Sequence, residues 1–111
     1  MVTAYTPDRG DLVYLSFDPQ LGHEQAGLRP AVVLSPRAYN AKSGLALFCP
    51  ITRQAKGYPF EVLLVQSGLE GVVLADQIKS FDYRIRKPRF IEKISDLAME
   101  EVLGKLSVLL E

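Results

Sequence analysis

Residues 30–51 read PAVVLSPRAYNAKSGLALFCPI, and this stretch decides the fold because two compact apolar runs flank one short polar segment. Residues 30–34 and 45–51 are apolar at nearly every position, which is typical of strands buried on both faces. Between them, residues 35–42 predict one or two helical turns, with Ser35 as the N-cap and Pro36 at the first helical position. The expected centre of the molecule is therefore a strand, a short helix and a second strand.

Short strands and a closing helix extend this centre in both directions. Residues 11–17 alternate, with one side more apolar than the other, and further strands are predicted at 60–65, 72–75, 77–83 and 89–94. A C-terminal helix is predicted after Ser95, a suitable N-cap, because apolar side chains recur there at three- and four-residue spacing, and Gly104 inside it indicates close packing. Seven glycines fall between the predicted strands, where a positive φ costs little: Gly10, Gly22, Gly27, Gly44, Gly57, Gly68 and Gly71.

Together these elements predict a mostly β (α+β) fold, a small antiparallel barrel or sheet with a C-terminal helix and a short helix after the second strand. A chain of 111 residues and 12.3 kDa has room for one core, so a single domain over residues 1–111 is expected. The hydrophobic content of 48% excludes a disordered chain. No apolar run approaches the ~20 residues of a membrane span, and residues 1–10 lack a signal-peptide stretch, so we expect a cytoplasmic protein.

Charge is balanced over the whole chain, with 13 Lys and Arg against 13 Asp and Glu. This balance excludes a mechanism in which uniform basic charge holds a nucleic acid, although a local patch remains open. Residues 79–93 contain six basic and two acidic residues, and they form either such a patch or the solvated face of a strand pair. Their aromatic residues Phe81, Tyr83 and Phe90 are either core residues or stacking platforms, and the core role is favoured. Cys49 is the only cysteine, which excludes an internal disulfide and a CxxC metal site.

Residues 22–30, GHEQAGLRP, are the segment of the sequence richest in chemistry. The chain has no paired histidines, P-loop or GxGxxG, so zinc hydrolysis, nucleotide hydrolysis and dinucleotide chemistry are unsupported. The segment instead places an imidazole (His23), a carboxylate (Glu24), an amide (Gln25) and a guanidinium (Arg29) at the entrance to an apolar strand. A guanidinium held there can clamp a phosphodiester and neutralise charge in a transition state. The structural alternatives are an Arg29–Glu24 ion pair that fixes the loop and a solvated, uninvolved His23.

Two further polar clusters follow strands. Thr52, Arg53 and Lys56 come after the run at 45–51 and supply a hydroxyl and two cations. In residues 76–79, DQIK, strand alternation would place Gln77 and Lys79 on one face and Asp76 and Ile78 on the other. Amides and cations on one strand face can contact bases and phosphates.

With these clusters, the chain resembles the MazF/PemK family of toxin endoribonucleases, and the MazF branch is the nearest. The matching segments cover almost all of residues 10–111 in order: GDLVYLSFDP, GHEQAGLRPAVVLSP, YNAKSG, PITRQAKGYPF, GVVLADQIKS and EVLGKLSVLL. The resemblance implies an SH3-like barrel that pairs as a homodimer and cleaves single-stranded RNA, usually mRNA, at a short sequence. It also implies cleavage without metal or other cofactor, leaving a 2′,3′-cyclic phosphate and a 5′-hydroxyl.

The resemblance assigns roles position by position. Arg29 and Thr52 match the catalytic Arg and Thr/Ser of the family, and Glu24 is the most plausible base because a carboxylate accepts a proton readily. His23 and Asp76 match residues that the PemK branch uses. Leu74 stands where that branch has an Arg, which favours Arg29 with Thr52 as the working centre. The expected RNA-binding residues are Gln25, Arg53, Lys56, Asp76, Gln77, Lys79 and Arg86, with Arg84 further off.

The family's partners and the competing functions complete the prediction. The resemblance implies a cognate antitoxin whose disordered acidic segment folds over the RNA groove. A first alternative is a non-enzymatic toxin of the same fold, like CcdB, which binds a topoisomerase. A second is a nucleic-acid-binding barrel without catalysis, which only the basic residues 79–93 favour.

Overall fold

The structure, a computed structural model, describes residues 4–19 and 22–111. The strands found there are β1 (Asp11–Ser16), β2 (Leu28–Val33), β3 (Leu45–Thr52), β4 (Glu61–Gln66), β5 (Leu69–Leu74), β6 (Lys79–Asp82) and β7 (Arg89–Lys93). The helices found there are α1 (Arg37–Ser43), α2 (Tyr83–Arg86) and α3 (Asp96–Leu109). The mostly β class, the short helix after the second strand and the closing helix are confirmed.

The strands form one curled antiparallel sheet in the order β4-β5-β3-β2-β1-β7, and β6 pairs with the first half of β3. The central strands β1, β2 and β3 have buried side chains on both faces. One face packs with α3 around Val32, Ile51 and Val102, and the other packs around Phe48 and Tyr83. Residues 31–34 and 48–51 of the two apolar runs are therefore buried, as their lack of alternation predicted, whereas Leu45 at the start of the second run is exposed.

The start of α1 differs from the sequence prediction. Its N-cap is Pro36, which has no side-chain capping bond, so the assignment of Ser35 as N-cap is wrong. The Ser35 hydroxyl instead donates to Asn40 Oδ1 at 2.6 Å and accepts the Leu47 amide at 2.9 Å. Ser35 therefore fastens α1 to the following strand, a use that local helix signals do not reveal.

The predicted strand at 77–83 is shorter in the structure. Gln77 donates its amide to the Leu74 carbonyl at 3.1 Å and lies in a turn, so the expected strand alternation from Asp76 to Lys79 is wrong. At the other end, the Asp82 carboxylate accepts the amides of Arg84 and Ile85 and starts α2 at Tyr83. A side-chain cap thus ends β6 after four residues.

Two glycines behave differently from the prediction. Gly71 lies inside β5 and does not have a positive φ, so it does not mark a turn there. The turn lies earlier, where Ser67 and Gly68 both have positive φ and connect β4 to β5. Gly104 has no atom within 4 Å of the position of an added Cβ, so its predicted close packing is wrong.

The closing helix α3 matches its prediction at the N-terminus, where the Ser95 hydroxyl accepts the Ala98 amide at 3.2 Å. Among the basic segment's aromatic residues, Tyr83 and Phe81 pack in the core, whereas Phe90 is half exposed. None of the helices in the described part of the chain has the length and apolar character needed to cross a membrane.

Candidate active site

The loop between β1 and β2 (residues 17–27) carries the polar segment singled out by the sequence, and its two ends are held together. Phe17 donates its amide to the Gly27 carbonyl at 2.9 Å, and Gly27 donates its own to Asp18 Oδ1 at 2.9 Å. Arg86 closes the arrangement, because its Nη1 donates to the carbonyls of Ser16 and Asp18 at 2.9 and 2.5 Å. Residues 20 and 21 lie outside the described part of the chain.

The middle of this loop docks on the turn before β6. The Gln25 amide donates to Gln77 Oε1 at 3.1 Å, and the Lys79 ammonium forms a salt bridge with the Glu24 carboxylate. Both charged side chains of the pair are about one-third exposed, at 29% and 32%. Two segments more than 50 residues apart in sequence therefore meet here, and the contact joins the proposed base Glu24 and three proposed RNA-binding residues.

Arg29 lies in β2 opposite Leu15, and its Nε donates to the Ala26 carbonyl at 2.7 Å. Within residues 4–19 and 22–111, its terminal nitrogens have no hydrogen-bond or salt-bridge partner, so the alternative of an Arg29–Glu24 ion pair is wrong. The bond to Ala26 fixes the direction of the guanidinium and leaves its terminal donors for a ligand.

Arg29 lines a cavity of about 370 Å³, which we call the Arg29 cavity. A second cavity of about 410 Å³, the Gln77 cavity, lies beside it and is lined by His23, Gln25, Lys56, Asp76 and Gln77. Thr52 and Gln54 line both cavities. The structure therefore brings most of the proposed site residues to one two-part groove, with Thr52 where its parts meet.

Thr52 ends β3 with only 6% of its surface exposed. Its Oγ1 accepts the backbone amide of Gln54 at 3.2 Å. Since that bond uses a lone pair of the oxygen, the hydroxyl hydrogen is available to donate into the groove. A buried, oriented hydroxyl of this kind can hold a phosphoryl oxygen.

Lys56 reaches the Gln77 cavity from the loop after β3. The Glu61 carboxylate accepts the amides of Lys56 and Gly57 at 3.0 and 3.1 Å, which fixes that loop. The Lys56 ammonium lies 6.0 Å from the centre of the exposed Tyr58 ring, which lines the same cavity. A cation beside an accessible aromatic ring is a combination that can contact a phosphate and a base.

The proposed base Glu24 and some predicted RNA-binding residues do not line either cavity. Arg86 lies against Phe81, with 3.8 Å from the guanidinium carbon to the ring centre, and its donors are used by the loop. Arg84 donates to the Ala41 carbonyl at 3.2 Å. Lys79 lies at the loop, paired with Glu24. Arg53 lines the Arg29 cavity.

Sequence reasoning missed five polar or aromatic groove residues: Tyr14, Gln54, Tyr58, Glu61 and Glu70. Gln54 could have been found from the sequence, because it follows the proposed catalytic Thr52 by two positions. Glu70 had none, since it comes from the β4–β5 hairpin and approaches the groove only through sheet pairing. Three acidic and three basic side chains line the groove, so its charge is mixed.

Thiol chemistry near the groove is limited by the burial of Cys49. Burial, with a smaller contribution from the Asp76 carboxylate, raises the pKa of the Cys49 thiol to about 12, so Cys49 is neutral and a poor nucleophile at physiological pH. In the described ranges 4–19 and 22–111, no group of three or more His, Cys, Asp or Glu side chains is arranged to hold a metal ion. The side chains that line the groove include hydroxyl, amide, imidazole, guanidinium and ammonium groups.

Comparison with known proteins matches this architecture to one family. Residues 8–110 match the model of the PemK-like, MazF-like toxin of type II toxin-antitoxin systems. The endoribonuclease toxin MazF of Escherichia coli K12 is 48% identical over 110 residues, covering 99% of each chain. The crystal structure of MazF from Deinococcus radiodurans superposes with a TM-score of 0.90 at 53% identity, covering 96% of this chain and 97% of that one. A MazE-MazF crystal structure from the same organism gives 0.84 at 50% identity, with 96% and 97% covered.

Proposed function

We propose a mechanism from the premise that this chain belongs to the family of PemK-like, MazF-like toxins of type II toxin-antitoxin systems. It is an endoribonuclease toxin. Our proposal is that it cuts single-stranded RNA at a short sequence, without a metal ion, and thereby stops translation and growth in the cytoplasm. The supporting observation is the groove in which Arg29 and Thr52 face the same space from two strands.

The proposed reaction is a transesterification within the RNA. The ribose 2′-oxygen attacks the adjacent phosphorus, the bond from phosphorus to the 5′-oxygen breaks, and a 2′,3′-cyclic phosphate and a 5′-hydroxyl result. Because the nucleophile is already attached to its target, the enzyme needs to supply orientation, proton transfer and charge stabilisation. Arg29 would stabilise the extra negative charge on the phosphorane with its terminal nitrogens, and Thr52 would donate to a second phosphoryl oxygen.

Proton transfer is assigned to the loop. Glu24 is the proposed base for the 2′-hydroxyl, since its carboxylate accepts a proton, and Lys79 holds that carboxylate in place before RNA arrives. His23 lines the Gln77 cavity, where its imidazole could reach the 5′-oxygen as it leaves. Of the two loop residues, His23 lines the groove and Glu24 lies outside both cavities, paired with Lys79, while the sheet residues Arg29 and Thr52 would supply charge stabilisation.

We assign base recognition to the Gln77 cavity. Asp76, Gln77 and Gln25 combine acceptors and donors, which distinguish bases by their exposed edges. Arg53 and Lys56 would hold flanking phosphates. The mixed charge of the groove agrees with recognition by hydrogen bonds in addition to phosphate contacts.

The proposed partners are a second copy of the chain and an antitoxin. A MazE-MazF assembly has been solved for a relative 50% identical to this chain. We propose that an antitoxin binds here through a disordered acidic segment, whose carboxylates would compete with RNA phosphates for Arg29, Arg53 and Lys56. A homodimer would extend the groove across two subunits.

Removal of one guanidinium tests the mechanism. We expect Arg29→Ala to lower the cleavage rate by ~10²-fold or more, as for loss of a main electrostatic stabiliser, with cleavage by the wild type unaffected by EDTA. Arg37→Ala is the matched control, because that arginine lies on α1 outside both cavities and forms only an exposed contact with Asp8. The substrate is a mixed-sequence RNA and, in parallel, the same sequence with 2′-deoxyriboses at the cut sites.

The products decide the outcome. Cyclic phosphate ends, uncut deoxy substrate and loss of activity only in Arg29→Ala support the proposal. Equal cutting of the deoxy substrate would exclude attack by the 2′-oxygen. Intact RNA with every variant would favour the non-enzymatic alternative.

A further inference from the structure

We infer that β5 sets the position of Thr52 and that the missing side chain of Gly71 makes this possible; the inference rests on the role proposed above for Thr52. A Cβ added to Gly71 would lie 2.5 Å from the Thr52 carbonyl oxygen and 3.1 Å from its carbonyl carbon. Close C···O contacts in sheets are about 3.3–3.6 Å. Any side chain at residue 71 would therefore force the two strands apart by about 1 Å at Thr52.

The backbone conformation at residue 71 does not require a glycine. The φ of Gly71 lies outside the left-handed region, unlike that of Gly68 in the adjacent turn. The position is an ordinary strand position, and a glycine inside a strand weakens it unless another backbone must approach closely. The approaching backbone here is that of Thr52.

The pairing of β3 makes Thr52 dependent on β5. The first part of β3 pairs with β6 up to Phe48, and its middle pairs with β2 up to Pro50. At Ile51 and Thr52 the ladder partner in the described chain is β5, through Val73 and Val72. Beyond Thr52 the chain leaves the sheet, so β5 is the strand that locates this residue.

An added side chain would displace Thr52 more readily than β5. On its other edge β5 is backed by β4, where the buried Leu64 pairs with Gly71. The end of β3 instead leads into residues 53–59, which are exposed and are held to β4 further along the chain, at Lys56 and Gly57. The shift would therefore move the Thr52 hydroxyl relative to Arg29, whose strand is fixed separately by β1.

The expected effect is on the chemical step. A misplacement of about 1 Å in a catalytic group can cost ~10²-fold in rate. We expect Gly71→Ala to lower kcat by ~10²-fold, with KM and RNA affinity changed less than threefold, because the RNA contacts proposed for Lys56 and Gln77 remain. Gly71 is thus a positioning residue.

A double-mutant cycle with Thr52→Val separates positioning from general loss of structure. If Gly71 acts through Thr52, Thr52→Val should cost much less in the Gly71→Ala background than in the wild type. Two controls accompany it. Gly104→Ala adds a Cβ where no atom lies within 4 Å, and Val62→Ala weakens the neighbouring buried part of β4; both should keep kcat within about twofold, although Val62→Ala lowers the melting temperature.

The outcomes are distinct. Equal costs of Thr52→Val in both backgrounds, or an unchanged kcat in Gly71→Ala, would overturn the inference while leaving the proposed function intact. An active Thr52→Val single variant would remove the role of Thr52 and this inference with it. If Gly71→Ala does not fold, Val72→Gly tests whether β5 positions Thr52, because a glycine at the ladder partner of Thr52 loosens that strand; additive costs of Thr52→Val there would contradict the inference.

Discussion

At the scale of single residues, Arg86 was predicted to bind RNA, but its contacts in the structure are within the protein. Its guanidinium donates to two carbonyls at the start of the β1–β2 loop and stacks on Phe81. Because Asp18 accepts the Gly27 amide as well, Arg86 helps to hold both ends of the loop. The loop in turn carries Glu24 and leads directly into Arg29.

We therefore expect Arg86→Ala to lower kcat by ~10-fold or more through a displaced loop and to reduce the free energy of unfolding by about 1–3 kcal/mol. Arg86→Lys should recover little, since an ammonium cannot reproduce the planar stacking and directed donors. Arg84→Ala, its neighbour on α2, is the control. RNA affinity measured against salt decides the role, because a direct phosphate contact would reduce the slope of log K against log[salt] by about one, and a positioning residue would not.

Which site residues could be predicted from sequence depended on where they stand relative to the strands. The strand pattern placed Arg29 at the start of one strand and Thr52 at the end of another, and the family resemblance assigned them a common role. The partners of Arg86 are about 70 residues away, and Glu24 and Lys79 are 55 apart. No local pattern encodes such contacts, which exist only after the sheet has formed.

At the scale of elements, the N-terminal segment is fastened to the sheet through a buried carboxylate. Asp11, at the start of β1, is 1% exposed and accepts the Tyr5 hydroxyl at 2.5 Å. Its other oxygen lies 2.5 Å from the Lys93 ammonium of β7. Burial, and then the bond to Asp11 and its charge, raise the pKa of the Tyr5 phenol well above its usual value.

This shift predicts a loss of stability in alkaline solution. A group whose pKa is raised by folding contributes stability that is complete below its unfolded pKa, here about 10, and that declines as the pH rises further. We expect Tyr5→Phe to lower the free energy of unfolding at pH 7 by about 1–2 kcal/mol and to flatten its fall between pH 10 and 11. Urea titrations across that range measure both; parallel curves for the two proteins would contradict the expectation. Tyr39→Phe, on the exposed part of α1, is the control.

Element boundaries were the least predictable part of the fold, for reasons visible in individual side chains. The apolar runs that became β2 and β3 were long and bounded by polar residues, so their positions emerged from pattern alone. In contrast, the Asp82 carboxylate ends β6 and starts α2 by capping two amides. Gly71, which resembles a turn residue in the sequence, is a strand residue because of what lies beside it in space.

At the scale of the whole molecule, apolar side chains remain exposed around the proposed groove. Leu28 and Leu63 are each 70% exposed, and Val65 also points outward from β4. Leu28 lines the Arg29 cavity, and Leu63 with Val65 lines a shallow depression that shares Arg53 and Glu70 with it. Apolar groups clustered beside a polar groove are typical of a surface that another chain covers.

We expect this surface to be the homodimer interface, which would place the two grooves beside each other. Leu63→Asp should then shift the protein toward monomers in sedimentation velocity experiments, because an interface excludes unpaired charge. It should also make cleavage depend on protein concentration, as assembly follows mass action. Ile85→Asp is the matched control, since Ile85 is 76% exposed on α2, away from the groove. If Leu63→Asp dimerises with unchanged affinity, the interface lies elsewhere on the molecule. If the wild-type protein is a monomer that cuts RNA at full rate, cleavage does not require a dimer.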